Sequence, residues 1–381
     1  MRKPEKLFCF FVLSGLSIAV SPAHATVVQR FYGSNYKNPA ELSTIPHAEV
    51  IAGVTVVNPV LEFKGVSAGG SGTATTDETE ALPYFYGAVR LDPEWVVGLN
   101  ISHPFHGVER YPENSIISDE STQTIVRSVD INPQISYQLT KRLAIGAGYS
   151  FTDFYNTQVN FVEPGLGNVE NKSSGWYHGW DVGLYYTLTP QDFLGLSYFS
   201  ALSATTQTGA SRVGPTTNNN YAISGIFLPA TTLVNYTHIF NREWSASTQV
   251  GYSQWHSVQN VILSNVANVG MLVFPLHYRN TYSANVSARY AFMPKWAVLG
   301  GVSFDEGAAN DFTRTIAFPT DDAYFARLGL EHQFCKDLSA KLIYSYVTAN
   351  THVNHALGVS HSVGDIDIHA NLVDFSLTYK I

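Results

Sequence analysis

The chain has 381 residues, 45% of them apolar and 14% charged, against roughly 25% charged in an ordinary soluble domain. Its net charge of −8 offers no basic surface to a nucleic-acid partner. Of its two cysteines, Cys9 and Cys335, the first lies in a segment expected to be removed, so no intramolecular disulfide is expected.

Residues 1–25 read as an export signal. Arg2, Lys3 and Lys6 form its positive end and Leu7 to Val20 its apolar core. Small residues at Ala23 and Ala25 place cleavage before Thr26. Cys9 has no lipoprotein-type sequence before it, so no lipid anchor is expected. Residues 26–47 do not alternate, carry Gly33, Pro39 and Pro46, and are expected to form a short plug, or hatch, at a barrel mouth. Every later apolar run ends well short of the about 18 residues that a transmembrane helix needs.

From residue 48 to 381 the pattern has period 2. Val373, Phe375, Leu377, Tyr379 and Ile381 share one face, and Asp374, Ser376, Thr378 and Lys380 the other. The same alternation runs through 130–139, 281–290 and 324–331. Pro133 interrupts one such run and predicts a bulge or bend there. Short polar turns between large apolar residues recur at Leu91 to Trp95, Leu139 to Leu143, Leu188 to Phe193, Phe240 to Trp244, Phe292 to Trp296 and Phe334 to Leu338. Longer polar stretches alternate with them at 63–80, 105–123, 163–174, 205–225, 258–276, 305–321 and 349–365. Short turns at one end and long loops at the other are the asymmetry of bacterial outer-membrane barrels, which carry an even number of strands. The expected fold is all-β: a transmembrane antiparallel barrel of fourteen strands over 48–62, 81–91, 94–104, 124–139, 142–162, 175–187, 192–204, 226–240, 243–257, 277–292, 295–304, 322–334, 337–348 and 366–381. The expected location is the outer membrane of a Gram-negative cell, among its lipids, as a monomer. The chain ends at Ile381, whereas such barrels usually end in an aromatic.

Several stretches, in order, resemble the FadL family of outer-membrane hydrophobic-compound transporters, which includes TodX-type aromatic-hydrocarbon channels. Asn38-Pro39-Ala40 stands before the first strand, where that family has an NPA motif. Ile131 to Tyr137 is similar to its fourth strand, and Leu143 to Gly148 to the stretch directly after that strand. Leu228-Pro229-Ala230, Tyr252 to Trp255, Trp296 to Asp305 and Ile316 to Asp322 match further pieces. The resemblance implies a fourteen-stranded barrel with an N-terminal hatch. It also implies a ligand caught among the extracellular loops, passed inward, and released sideways at a kink in the third strand. Here that strand ends His103-Pro104-Phe105-His106-Gly107, and His103, Pro104, Phe105 and Gly107 are taken as kink and exit. The other reading is a strand that ends at its loop. The segment from Thr26 to Lys37 is shorter than the family's usual hatch.

A carboxylate cargo needs a cation inside the barrel. Arg279 is expected to face inward on the parity of Ser283 and Asn285, and roughly matches a family lysine near the head-group site; Arg327 is the second inward cation. A guanidinium can hold a carboxylate through two bonds. Each could instead pair with a lumen carboxylate such as Asp130 or Glu331. Phe151, Phe154, Tyr155 and Phe161 could line a lipid pocket or sit in the membrane girdle. Ile223, Ile226, Phe227 and Leu228 could form a surface groove. His352, His355, His361 and His369 lack zinc spacing, so no metal site and no cofactor is expected. Gly70-Ser71-Gly72 reads as flexible linker, and no nucleophile elbow marks a lipase. The expected activity is passive uptake of long-chain fatty acids or other hydrophobic small molecules, with no enzymatic role. The alternatives are an aromatic-hydrocarbon channel of the same family, a general porin and an outer-membrane lipid hydrolase.

Overall fold

The structure, a computed structural model, describes residues 38–204, 206–225, 229–354 and 361–381. The expected export signal and the hatch up to Lys37 lie outside them. Fourteen strands build the wall: β1 (Ala48–Ser67), β2 (Glu80–Arg90), β3 (Trp95–Ser102), β4 (Gln123–Gln138), β5 (Leu143–Glu163), β6 (Gly167–Thr187), β7 (Asp192–Phe199), β8 (Thr231–Ile239), β9 (Trp244–Ser253), β10 (Thr281–Met293), β11 (Trp296–Asp305), β12 (Ala323–Gln333), β13 (Leu338–Asn354) and β14 (Val363–Lys380). Each pairs antiparallel with the next. β14 returns to β1 in register from Glu49↔Lys380 to Val66↔Val363, which closes the cylinder. Closure matters because an open edge in hydrocarbon would leave a row of backbone groups without partners.

The faces are inverted relative to a soluble protein. On β14, Val373, Phe375, Leu377 and Tyr379 are 41–48% exposed, while Ser376 and Thr378 are buried. Ile131 and Ile135 on β4 and Tyr282 and Val286 on β10 also face out, opposite buried Asn132, Ser136, Asn285 and Ser287. Apolar side chains therefore meet lipid and polar ones the interior. Among the described residues no helix is long and apolar enough to cross a membrane.

The short turns explain their own recurrence. In four of the six, the residue after the first apolar one caps the turn with a side-chain oxygen. Asp92 Oδ1 accepts from the amides of Glu94 and Trp95, and Asn241 Oδ1 from Glu243 and Trp244. Thr140 Oγ1 and Thr189 Oγ1 do the same in theirs. Such caps satisfy amides that the tight hairpin leaves without carbonyls. Rings pair beside these turns, Trp244 with Tyr290 at 4.3 Å and Trp95 with Tyr137 at 4.6 Å, forming a girdle at that rim.

The long-loop end differs from expectation. β6 begins at Gly167, not 175, and residues 207–213, 216–224, 260–266 and 270–275 are strands that extend the wall upward as hairpins. Gly70-Ser71-Gly72, expected as flexible linker, instead begins the strand Gly70–Asp77, which pairs with β1. Their polar outward faces lack the lipid signature because they stand above it. Pro133 produces no register change; the shift in the β4–β5 ladder falls opposite Arg127 and Ser128, where Tyr155 of β5 is the extra residue.

Inside this taller end lie two apolar clusters. One contains Phe105, Phe154, Tyr177, Trp255, Tyr278 and Phe318. The other contains Leu61, Phe63, Phe325, Val347 and Ile366. The segment 306–322 folds inward and joins both, through Phe318 in the first and Ile316 in the second.

Candidate functional site

The residues that bear on passage form three groups: a seat for the N-terminal segment, an interruption in the wall, and the apolar interior between them and the loops.

The seat comes first in the chain. Asn38 caps a 3-10 turn, Pro39–Thr44, its Oδ1 accepting from Ala40 N. Its Nδ2 donates to the carbonyls of Leu184 on β6 (2.8 Å) and Leu196 on β7 (3.2 Å). Ser136 on β4 donates to Ala40 O, and Arg90 on β2 donates to the carbonyls of Ser43 and Ile45. Leu42 and Ile45 bury themselves among Ile51, Tyr86, Ala88 and Val96. So close an approach requires glycine on the wall. A Cβ on Gly146 would stand 2.3 Å from the Pro39 carbonyl carbon, and one on Gly183 would stand 1.8 Å from Asn38 Oδ1. The turn is thus fitted against the inner side of β2 to β7.

The interruption lies between β2 and β3. Their ladder runs from Arg90↔Val96 to Phe85↔Ile101 and stops. β3 ends at Ser102, and the chain resumes as the short strand His106–Arg110. Both pieces pair with β4, Ser102 with Asp130 and His106 with Arg127, so four steps on one strand oppose three on the other. Residues 80–84 of β2 have no strand partner on this side among the described residues. Pro83 and Pro104 both sit here, where a missing N–H does no harm. The extra residue turns Phe105 inward to stack on Phe154 at 5.7 Å, within the first apolar cluster. Side chains lace the gap: His103 Nδ1 lies 2.8 Å from Ser128 O, Ser128 Oγ donates to Phe105 O, and Glu80 meets both His106 Nε2 (3.1 Å) and Arg127 (2.5 Å).

The other candidates divide. Phe154 and Phe161 face the apolar interior, whereas Phe151 and Tyr155 face outward. The register shift between Phe154 and Thr157 in β5 switches the inward parity from even to odd residues. Arg327 is buried and donates to Ser303 Oγ. Arg279 corrects the expectation. It precedes β10, where His277 takes a positive φ of 44° and resets the parity, so Tyr278 turns inward. The Arg279 side chain is 56% exposed and pairs with Glu306 at 3.3 Å. Ile223 is buried in the apolar cluster rather than on a surface groove, because 216–224 is a strand. Ile226, Phe227, Leu228 and His355 lie outside the described residues. His352 meets the exposed Asp365, and no group of three potential metal ligands occurs among the described residues. Burial pushes the phenols of Tyr221 and Tyr278 well above their usual range, so both line the apolar cluster as neutral groups.

Sequence reasoning missed Glu80, Arg127, Gly146, Gly183 and Arg314. Inward parity of a glycine was the available signal for the seat, since it marks close backbone approach. Arg314 is 2% exposed in its side chain and binds Asp311, Asp321 and the carbonyls of Thr320 and His352, pinning the inward segment to β13. Replacing it with Ala is expected to cost on the order of 3 kcal/mol, because two carboxylates and two carbonyls lose one shared donor. A lowered urea midpoint, with faster proteolysis within 306–322, is the result that checks this.

The family described as outer membrane protein transport protein (OMPP1/FadL/TodX) matches residues 12–380. The long-chain fatty acid transport protein of Escherichia coli K12 is 22% identical over 302 residues, 75% of this chain and 64% of that protein. This match thus spans just under two thirds of the relative's length. A FadL homologue of Pseudomonas aeruginosa superposes with a TM-score of 0.79 at 18% identity, covering 96% and 98% of the two chains. The toluene transporter TodX of Pseudomonas putida gives 0.73 at 16%, covering 96% and 99%. With a family match over nearly its whole length and the same barrel, the chain belongs to the OMPP1/FadL/TodX family, a set of outer-membrane transport channels rather than enzymes.

Proposed function

We propose that this protein takes up long-chain fatty acids, receiving them among its extracellular loops and releasing them sideways into the bilayer beside β3. The observation that carries the proposal is the wall interruption at His103–Phe105, whose Phe105 ring belongs to the apolar interior cluster. An apolar interior and a side opening into lipid suit one another. Each methylene that reaches hydrocarbon rather than water contributes about 0.8 kcal/mol, so the route needs no energy source. Arg327, buried on β12 near the second cluster, is the interior cation suited to a carboxylate head group.

A second reading, a channel for neutral aromatic hydrocarbons, draws on the ion pairs that already engage several cations. Arg314 is held by Asp311 and Asp321, Arg289 and Lys341 approach Glu331, and Arg279 meets Glu306. The relatives include proteins named for each cargo. The deciding experiment expresses the chain in a cell lacking fatty-acid uptake and measures growth on oleate together with toluene uptake. Growth on oleate, cut about tenfold in uptake rate by Arg327→Met, the loss of one charge-assisted bond, supports the first reading. Toluene uptake that ignores Arg327→Met, without oleate growth, supports the second. Uptake of neither, from a folded barrel, overturns both.

A further inference from the structure

We infer that Glu80 is a positioning residue which, through His106 and Arg127, sets the width of the side opening between β2 and β3. The inference rests on the lateral route proposed above and adds what holds that route closed. Along most of the wall, neighbouring strands are joined by ladders of backbone hydrogen bonds. From Glu80 to Tyr84 the β2 edge has no such ladder toward β3. Side chains join the two edges instead. Glu80 Oε2 lies 3.1 Å from His106 Nε2, and Glu80 Oε1 accepts from Arg127 at 2.5 Å. One β2 residue thus ties down both the strand after the kink and β4 behind it. His103 reaches Ser128 O on β4 and the Pro83 backbone on β2. Higher up, Arg110 N donates to Thr76 Oγ1 and Arg110 pairs with Glu78.

Two features make Glu80 the controlling member. Its single carboxylate bonds both His106 and Arg127. His106 is 7% exposed in its side chain, and its Nδ1 is buried with no hydrogen-bond partner among the described residues. Its hydrogen bond is therefore the one through Nε2, and losing Glu80 leaves the ring to packing contacts such as the His103 ring at 6.4 Å. Side-chain bonds also open differently from a ladder. A ladder must unzip cooperatively, but a carboxylate can swing on its rotamers and part the edges without moving either strand. The charge pair is partly buried, with Glu80 20% and Arg127 24% exposed in their side chains, so salt screens it less than a fully exposed pair. Tyr155 of β5 feels the charges of both Glu80 and Arg127 and completes the rim.

The test uses the full-length protein with Cys9→Ser and Cys335→Ser. Glu80→Ala is expected to raise uptake of a wide cargo, a pyrene-labelled fatty acid, at least threefold relative to oleate. Glu80→Asp is expected to return the ratio to that of the parent. Hydrogen exchange of 80–84 and 103–107 is expected to quicken in Glu80→Ala, with the ladder from Phe85 to Arg90 unchanged. Glu80→Cys with Arg127→Cys, joined by a short reductant-cleavable bis-thiosulfonate linker, is expected to stop uptake until the linker is cut. An unchanged uptake ratio and exchange in Glu80→Ala overturns the inference, as does free uptake through the linked barrel. If linking has no effect while deletion of Pro104, which evens the four-against-three count beside β4, does block uptake, the lateral route stands and Glu80 does not set its width. If neither blocks uptake, the route itself fails.

Discussion

Gly146→Val is expected to convert a barrel of low conductance into a steadily conducting pore while leaving the wall folded. The argument is steric. A Cβ at Gly146 would lie 2.3 Å from the carbonyl carbon of Pro39 and 2.4 Å from Ala40 N, both backbone atoms of a capped turn. Backbone held by its own hydrogen bonds cannot yield as a side-chain tip does, so the whole turn must leave. Its departure breaks the bonds from Asn38 to Leu184 O and Leu196 O and exposes Leu42 and Ile45. Each of those apolar side chains contributes about 1.5–3 kcal/mol when buried. The turn lies against the inner side of β2 to β7, so its loss opens the short-turn end. Gly183→Ala meets only the Asn38 side chain and the Pro39 ring, which can shift, and should conduct less. Planar-bilayer recordings decide the matter. A folded Gly146→Val barrel as silent as the parent would show that the turn does not close the pore.

The wall was legible in the sequence because its chemistry is local. A period-2 pattern with apolar residues facing lipid, broken by turns that begin with an Asp, Asn or Thr cap, fixes strand number and approximate ends. The six turns coincide with the hairpins, and Leu91, Phe240 and Phe334 close theirs by hydrogen bonds to Trp95, Trp244 and Leu338. What parity alone cannot carry is an insertion. The bulge beside Tyr155 leaves Phe151 outside and Phe161 inside, though ten residues on one unbroken strand would share a face. His277 does the same to Arg279, which parity placed facing inward and whose exposed side chain instead pairs with Glu306. The hairpins at 207–224 and 260–275 escaped because their outer faces meet water, and the pattern that marks a membrane strand vanishes there. The seat escaped for another reason: it depends on Gly146, Gly183 and Gly195 converging on the turn from three strands, a tertiary coincidence.

Deleting Pro104 is expected to reduce cargo uptake at least tenfold, whereas Pro104→Ala is expected to leave it near the parent rate. The distinction separates register from residue type. Between Ser102↔Asp130 and His106↔Arg127 the third strand advances four residues while β4 advances three. Removing one residue makes the two counts equal, and the strand can then run straight past β2. Residues 80–84 gain ladder partners, each bond stabilising the shut wall by about 1 kcal/mol. Pro83 still withholds one donor, so adding Pro83→Val should strengthen the closure. Phe105 loses the extra step that turns it onto Phe154, which parts the apolar interior from the wall. Pro104→Ala changes none of this, because the four-against-three mismatch persists and the opening with it. Heat-dependent migration on gels would show that each variant folds. Undiminished uptake through a folded deletion barrel would mean that cargo leaves by the short-turn mouth instead. In that case Gly146→Val, which clears that mouth, should raise cargo flux together with ion flux.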